Sequence, residues 1–471
     1  MKRVLLVNTN VEKLPYPIPP LGLCLLASYI SPFYEVRIYD GMFDEAKNLV
    51  NTVRGFRPDY IGFTIRNIDD VVADKEVFYV DRILADFIRP VRDICSAPVI
   101  LGGSGFSVFP TELMDLSKAD FGIVGEGEEL FLDLLRTLDR GELPAPHPQV
   151  RHGKHGAAHG SGSPRFLPYH TLPFSGIDQR IDFTPYRQRG VYSIQTKRGC
   201  ALRCIYCTYP CIEGRKYRLR DPDDIVRELE EANNRLGPVT FEFVDSTFNE
   251  PRGHAEAICR AIIRKGLKAP LRTMGVNPGN TSRELFSLMK EAGFVQIDAT
   301  PDSAAPSVIR NLGKGFTLGD IRRTAELIRE FDLPTMWFFL FGGPGETEDT
   351  VSETRQFIRD FVSPDDMVLM LAGIRIYPNT ALRKIAQKEG VIRPGQSLFR
   401  PSPYYFSQDT PKPLLNRLID TIAREFPNCL PALESSPPPE MLAAAIRLRA
   451  AHDLRETMFR TLMRIRRMKE T

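Results

Sequence analysis

The sequence predicts an α/β protein with a doubly wound N-terminal sheet, six further βα units and a small helical C-terminal region. Short apolar runs alternate with helical stretches from residue 1 to about 140, and again from Val191 to about Gly390. That alternation is the pattern of right-handed βαβ units, not of hairpins. Between the two runs, PAPHPQVRHGKHGAAHGSGSPRF has no apolar periodicity and is rich in Pro, Gly, Ser and His. It reads as a linker or surface loop. At 471 residues the chain exceeds one ordinary core. The expected division is 1–145, a linker over 146–185, a second domain over 186–400 and a C-terminal region over 401–471.

In the first domain the expected strands are 4–8, 34–40, 60–65, 98–101 and 121–124, with helices over 21–30, 43–56, 80–94 and 110–116. Five strands suit a flavodoxin-like order, which takes ligands at the carboxyl ends of its strands. Glycines follow there: Gly102, Gly103 and Gly105 after the fourth strand, Gly125 and Gly127 after the fifth. Such turns let backbone approach a ligand, and they also serve simply to turn the chain. The second domain is expected to place strands at 193–196, 240–244, 271–275, 296–299, 335–341 and 367–374, with helices between. Residues 441–469 read as one basic helix whose Leu448, Leu454, Met458, Leu462 and Ile465 form an apolar face. A packed cap is expected there, in preference to a membrane-surface contact.

Composition narrows the partners. A net charge of +3 implies no nucleic-acid field, and no nucleic-acid partner is expected. Of eight cysteines, Cys200, Cys204, Cys207 and Cys211 cluster, while Cys24, Cys95, Cys259 and Cys429 are scattered. That is the distribution of a metal site in a reducing, cytoplasmic setting. MKRVLLVNTN is too short an apolar run for a signal peptide, and no stretch reaches transmembrane length. Of the linker histidines, His147, His152, His155 and His159, irregular spacing favours solvated loop over metal binding.

The run KRGCALRCIYCTYP spaces Cys200, Cys204 and Cys207 as C-x3-C-x2-C just after a predicted strand. Three thiolates from one tight loop can hold three irons of a 4Fe–4S cluster and leave the fourth open for chemistry. Structural zinc with Cys211 as fourth ligand, or a Cys204–Cys207 redox pair, are the competing readings. Gly199 before Cys200 and the aromatic Tyr206 before Cys207 complete a loop that resembles the radical S-adenosylmethionine (SAM) superfamily. The resemblance implies a partial (β/α)6 barrel, SAM chelating the open iron, and the Tyr206 backbone near the adenine. At the strand ends, Asp245, Asn277 and Asp298 stand where a ligand meets the barrel mouth, or else cap the following helices. The resemblance implies SAM contacts from Asp245, from Asp298 to the ribose hydroxyls, and from Gly342, Gly343 and Gly345.

PPLGLCLLASYI after the first strand, GGSGFSVFPTEL after the fourth and GEGEEL after the fifth resemble the cobalamin-binding domain that precedes the barrel in one branch of that superfamily. The implied contacts are Leu21, Arg66, Asn67, Gly102, Gly103, Ser104, Gly105, Gly125, Glu126 and Gly127. Bulk at Gly103 is expected to block the nucleotide tail. There is no D-x-H-x-x-G; the nearest match, Asp40-Gly41-Met42, offers no histidine. Cobalamin is thus implied without that lower ligand, with Arg66 or Asn67 beneath the corrin; the alternative is that Arg66 pairs with Asp69 or Asp70 at the surface.

The implied activity is a cobalamin-dependent radical enzyme, most often a C-methyltransferase acting on an unactivated carbon. One SAM would methylate the cobalamin and a second would generate the radical that takes a substrate hydrogen. Ring contraction or oxidative cyclisation with the same cofactors, and a non-catalytic iron–sulfur or cobalamin sensor, are alternatives. Methylthiotransfer is disfavoured because only Cys24 and Cys95 precede the loop. The expected partners are a small-molecule or lipid substrate and an external one-electron reductant, flavodoxin or ferredoxin. No catalytic acid, base or nucleophile is singled out.

Overall fold

The computed structural model describes residues 1–13, 16–74, 77–153, 164–237, 239–431, 439–452 and 458–470. Its N-terminal sheet comprises β1 (Arg3–Asn8), β2 (Glu35–Asp40), β3 (Tyr60–Thr64), β4 (Val99–Gly102), β5 (Phe121–Ile123) and β6 (Val150–His152). The order is β2-β1-β3-β4-β5-β6, with β1 to β5 parallel and β6 antiparallel at the edge. RVLLVN shows why the sheet is doubly wound. Val4 and Leu6 join the core that includes Leu23 and Phe131, from helices Leu21–Ile30 and Glu128–Asp139. Leu5 and Val7 join Ile61, Phe63 and Leu101 on the other face. Burial on both faces makes a parallel strand read as a continuous apolar run.

β6 lies in the stretch expected to be loop; three residues, VRH, give no periodic signal. His152 packs edge-on to Phe121 at 4.9 Å, and the His147 Nδ1 accepts from the Gln149 N–H at 3.2 Å. His155 and His159 lie outside the described residues. The helix expected over 80–94 carries a π turn at Leu84–Ile88. Pro90 follows it, and its missing N–H removes an ordinary helical bond.

The second sheet holds β7 (Tyr192–Ile194), β8 (Phe241–Phe243), β9 (Leu271–Val276), β10 (Phe294–Asp302), β11 (Thr335–Phe341), β12 (Met367–Ala372) and β13 (Cys429–Pro431). All neighbours pair in parallel in the order β13-β12-β11-β10-β9-β8-β7. This is the partial barrel, with β13 added to the six expected strands. Tyr192, Phe241, Ile297 and Trp337 point outward into the helical core. The alternate residues face the interior. Ser282, Thr317 and Thr347 cap the helices that begin next to them, which keeps strand and helix distinct in the sequence.

The tail is two helices, Pro439–His452 and Met458–Glu470, not one. Phe459 and Met463 pack on Met367 and Leu430, so the second helix caps the β12–β13 edge. Leu454 lies outside the described residues. No helix among the described residues is long and apolar enough to cross a membrane.

Candidate functional site

After β7 the chain doubles back. Lys197–Arg198 pairs antiparallel with Arg218–Leu219 and closes the intervening residues into a loop. Gly199 sits at φ 89°, and a Cβ there would stand 2.1 Å from the Lys216 carbonyl oxygen. Only glycine fits before Cys200. Asp245, following β8, anchors the loop's root. Its carboxylate accepts from the Thr196 N–H at 2.8 Å, the Thr196 hydroxyl at 2.5 Å and the Lys197 N–H at 3.2 Å. Buried Lys197 Nζ stands 3.4 Å away. The expected contact of Asp245 with SAM is therefore corrected: this carboxylate is committed to holding the loop.

Cys200, Cys204 and Cys207 line one cavity of about 350 Å³. Cys211 is exposed and lies outside it, with Sγ 3.8 Å from the Asn379 carbonyl oxygen. Among the described residues, no three His, Cys, Asp or Glu converge on a single metal ion. Burial raises the Cys204 thiol and pushes Cys207 up to about 12. Iron's own charge is needed to hold them as thiolates.

The same cavity contains a group that sequence reasoning missed. Asp302 ends β10 at φ 64°, and Lys314 lies between Gly313 and Gly315. The Tyr206 hydroxyl donates to the Asp302 carboxylate. Lys314 Nζ donates to Asp302 at 2.7 Å and stands 3.3 Å from Tyr206 Oη. Burial alone would lower Lys314, but Asp302 and Tyr206 outweigh it and keep the ammonium protonated. The pairing of β10 with β11 shifts register between Ala299 and Asp302, so strict two-residue alternation does not carry from Asp298 to Asp302. Thr300 and Asp302 line the cavity; Asp298 does not. It is a layer deeper, accepting from Gln296 Nε2 at 2.8 Å with Arg272 at 3.7 Å, and burial pushes it up to about 6. The expected ribose contact from Asp298 is corrected accordingly.

Gly342, Gly343 and Gly345 follow β11. None lines the cavity, and their Cβ positions face Leu415, Leu312 and Asn311 respectively. Asn277 lines the cavity but acts as a cap: its Oδ1 accepts from the Gly279 N–H at 3.0 Å and its Nδ2 donates to Glu250 at 2.6 Å.

A second cavity of about 370 Å³ opens at the carboxyl edge of the N-terminal sheet. Of the residues expected to meet cobalamin, Leu21, Arg66, Gly102, Gly103 and Ser104 line it, as do Gly125, Glu126 and Gly127; Asn67 and Gly105 do not. Its inner end is an apolar slot of Leu6, Leu23, Ile100 and Phe131, and its far wall is Ser193, Glu242, Val244 and Met274 of the barrel. An apolar slot behind a glycine-rich polar rim fits a flat heteroaromatic tail attached to a polar ring. No histidine lines it among the described residues.

Three details differ from expectation. A Cβ on Gly103 would stand 2.6 Å from the Ile65 carbonyl oxygen at φ 102°, so the position excludes side chains because of the protein itself, not the ligand. The Glu126 carboxylate is bound by Arg218 (2.7 Å from Nη1), with Arg198 at 3.5 Å, and is not free for a ligand. Arg66 pairs with neither nearby aspartate: Asp69 is ion-paired to Arg375 at 2.9 Å, and Asp70 accepts from the Val72 N–H at 3.2 Å. Tyr209, two residues beyond Cys207 and also unanticipated, lines both cavities.

Residues 7–135 match the model of the B12 binding domain, and residues 194–358 match that of the radical SAM superfamily. The chain is a cobalamin-binding radical SAM enzyme. Its cofactors are a 4Fe–4S cluster, SAM and cobalamin. This radical SAM enzyme is 28% identical over 448 residues to the tryptophan 2-C-methyltransferase of Streptomyces laurentii, covering 81% of this chain and 74% of that protein. It is 25% identical over 466 residues to the cytidylyl-2-hydroxyethylphosphonate methyltransferase of Streptomyces wedmorensis, covering 85% and 84%. The solved structure of the radical SAM methyltransferase TsrM from Kitasatospora setae has the same fold, with a TM-score of 0.85 over 100% of both chains at 24% identity.

Proposed function

We propose that this enzyme transfers a methyl group from SAM, with cobalamin as carrier, to an unactivated carbon of a small molecule. The observation that carries the reading is Tyr209, which lines both cavities. The cysteine loop thus runs directly into the wall between the two chambers, an arrangement suited to passing a group from one to the other. Both named relatives are methyltransferases, one named for a carbon position.

When bound, the cofactors supply the one-electron and methyl-carrying chemistry. The chain's own residues position and shield it. Cys200, Cys204 and Cys207 would hold three irons, and Lys314 fixes a positive charge beside them. Arg66, at the rim of the other chamber, would lie beneath the corrin where no histidine is supplied. Phe316, Phe338, Leu340, Leu371 and Ile374 give the cluster cavity a dry wall. Its two cations, Lys314 and Arg375, are each ion-paired within the protein, and the apolar wall suits an apolar reacting group. An external one-electron donor, flavodoxin or ferredoxin, would supply reducing equivalents.

The test is anaerobic incubation of the reconstituted full chain with a metabolite extract and methyl-labelled SAM, read by mass spectrometry. A product carrying the labelled methyl supports the reading. A substrate that loses two hydrogens without gaining label means oxidation or cyclisation instead. No SAM consumption under any reducing condition means a sensor.

A further inference from the structure

Four neighbouring barrel strands place Ser193, Glu242, Arg272 and Gln296 in register: Ser193 opposite Glu242, Glu242 opposite Arg272, Arg272 opposite Gln296. Within this inward-facing row, Glu242 is fully buried and Ser193 is 1% exposed. One Glu242 oxygen is engaged: Oε1 accepts from the Tyr16 hydroxyl at 2.7 Å and stands 2.9 Å from Arg272 Nε. The other is not. Glu242 Oε2, Ser193 Oγ and Arg272 Nε are buried with no hydrogen-bond partner among the described residues; Ser193 and Glu242 line the cobalamin cavity, whereas Arg272 does not. A buried carboxylate oxygen left unpaired is costly and rare, and here a second orphan stands on the adjoining strand.

The two atoms specify a ligand group. Carboxylate Oε2 only accepts, whereas a serine hydroxyl can donate. A group offering an N–H beside a carbonyl oxygen satisfies both at once, and a primary carboxamide is such a group. The corrin ring of cobalamin carries such carboxamides around its edge. We propose that Ser193 and Glu242 form a carboxamide-recognition pair that grips one amide arm of the corrin from the barrel side. The inference rests on cobalamin occupying this cavity. It assigns to β7 and β8 a part in cofactor selection that neither the glycine-rich loops nor the cysteine loop supplies.

The experiment titrates the full chain with cobalamin and with its monocarboxylate derivatives, each having one amide hydrolysed to an acid, and follows binding by absorbance. One derivative should bind at least about tenfold more weakly than the rest, because its carboxylate would face Glu242. Glu242→Gln should bring that derivative to within about twofold of cobalamin while leaving the ranking of the others unchanged. Ser193→Ala should weaken cobalamin about threefold, and because it is a small change it also covers the case in which Glu242→Gln does not fold. Uniform treatment of all derivatives by the wild type, equal weakening of every ligand by Glu242→Gln, or an unchanged affinity in Ser193→Ala would each overturn the pair and leave buried water as its occupant. No corrinoid binding by the wild type would be a different failure, that of the cavity assignment itself.

Discussion

Replacing Arg375 by Met tests how the two domains are tied together. Arg375 and Asp69 are 306 residues apart, and their side chains are 1% and 0% exposed. The guanidinium donates to Asp69 Oδ2 at 2.9 Å and to the carbonyl oxygens of Ile376 at 2.8 Å and Leu398 at 2.7 Å. Arg375→Met leaves the buried Asp69 carboxylate without its cation, with the Ser402 hydroxyl at 3.0 Å and the Val71 N–H at 3.1 Å remaining among the described residues. Breaking a buried pair from one side costs about 3–5 kcal/mol, a large fraction of the roughly 5–15 kcal/mol that holds a protein folded. The damage reaches the site, because Val71 lines the cluster cavity in a left-handed conformation, φ 60°, that is unusual for a β-branched residue. Removing the charge as well, in Asp69→Asn/Arg375→Met, should recover part of the loss, with a coupling energy of about 2 kcal/mol or more. The assay is urea unfolding followed by circular dichroism across the four proteins of the cycle. Single-variant losses that simply add, with coupling below about 0.5 kcal/mol, would refute the buried-pair argument.

Alanine at Cys200, Cys204 or Cys207 should abolish bound iron and the cluster's visible absorption, while Cys211→Ala keeps both; retained iron in Cys200→Ala would overturn the ligand assignment. Gly103→Ala should lose about 2–3 kcal/mol of stability, since its Cβ meets Ile65 O at 2.6 Å and Thr64 Oγ1 at 2.7 Å. Gly127 has no atom within 4 Å of its Cβ position, so Gly127→Leu should melt like the wild type and bind cobalamin weakly; the reverse pattern would show that the cavity is not the binding site. Burial pushes Glu346 up from 4.5 to about 7, against hydrogen bonds from the Gly342 N–H and the Thr350 hydroxyl. A carboxyl raised in the folded state stabilises fully below its unfolded pKa and loses that contribution as pH climbs through the folded one. Glu346→Gln should therefore gain on the wild type by up to about 3 kcal/mol between pH 4.5 and 7; parallel stability–pH curves would count against it.

What the sequence made legible was local. Parallel strands buried on both faces announce themselves as apolar runs, and three cysteines within eight residues need no tertiary information. β6 and β13, three residues each, fall below any periodic signal. Depth was also invisible. Alternation along DATPDS would put Asp298 and Asp302 on one face, but the pairing shifts between Ala299 and Asp302, with Asp298 opposite Met336 and Asp302 opposite Phe339, and of the two only Asp302 lines the cavity. Lys314 and Tyr206 are 108 residues apart, and Glu126 and Arg218 are 92 apart. Long-range charge pairing of this kind leaves no mark on a single sequence, so Glu126 read as a ligand contact when it is a structural partner.

The GEGEE turn has a consequence for how such chains can be recombined. Glu128 receives Arg198 at 2.7 and 3.2 Å, and Glu126 receives Arg218, so two acids of the N-terminal domain clasp both strands of the hairpin that closes the cysteine loop. Arg198 overrides the burial that would raise Glu128 and holds it below its ordinary value. A chimera that grafts this barrel onto another relative's N-terminal domain therefore inherits two arginines in want of counter-ions. A donor domain with acids two residues apart at the start of the helix after its fifth strand would supply them. In this chain the seam between the N-terminal domain and the cysteine-loop hairpin is thus a four-residue charge cluster, Glu126 and Glu128 with Arg198 and Arg218.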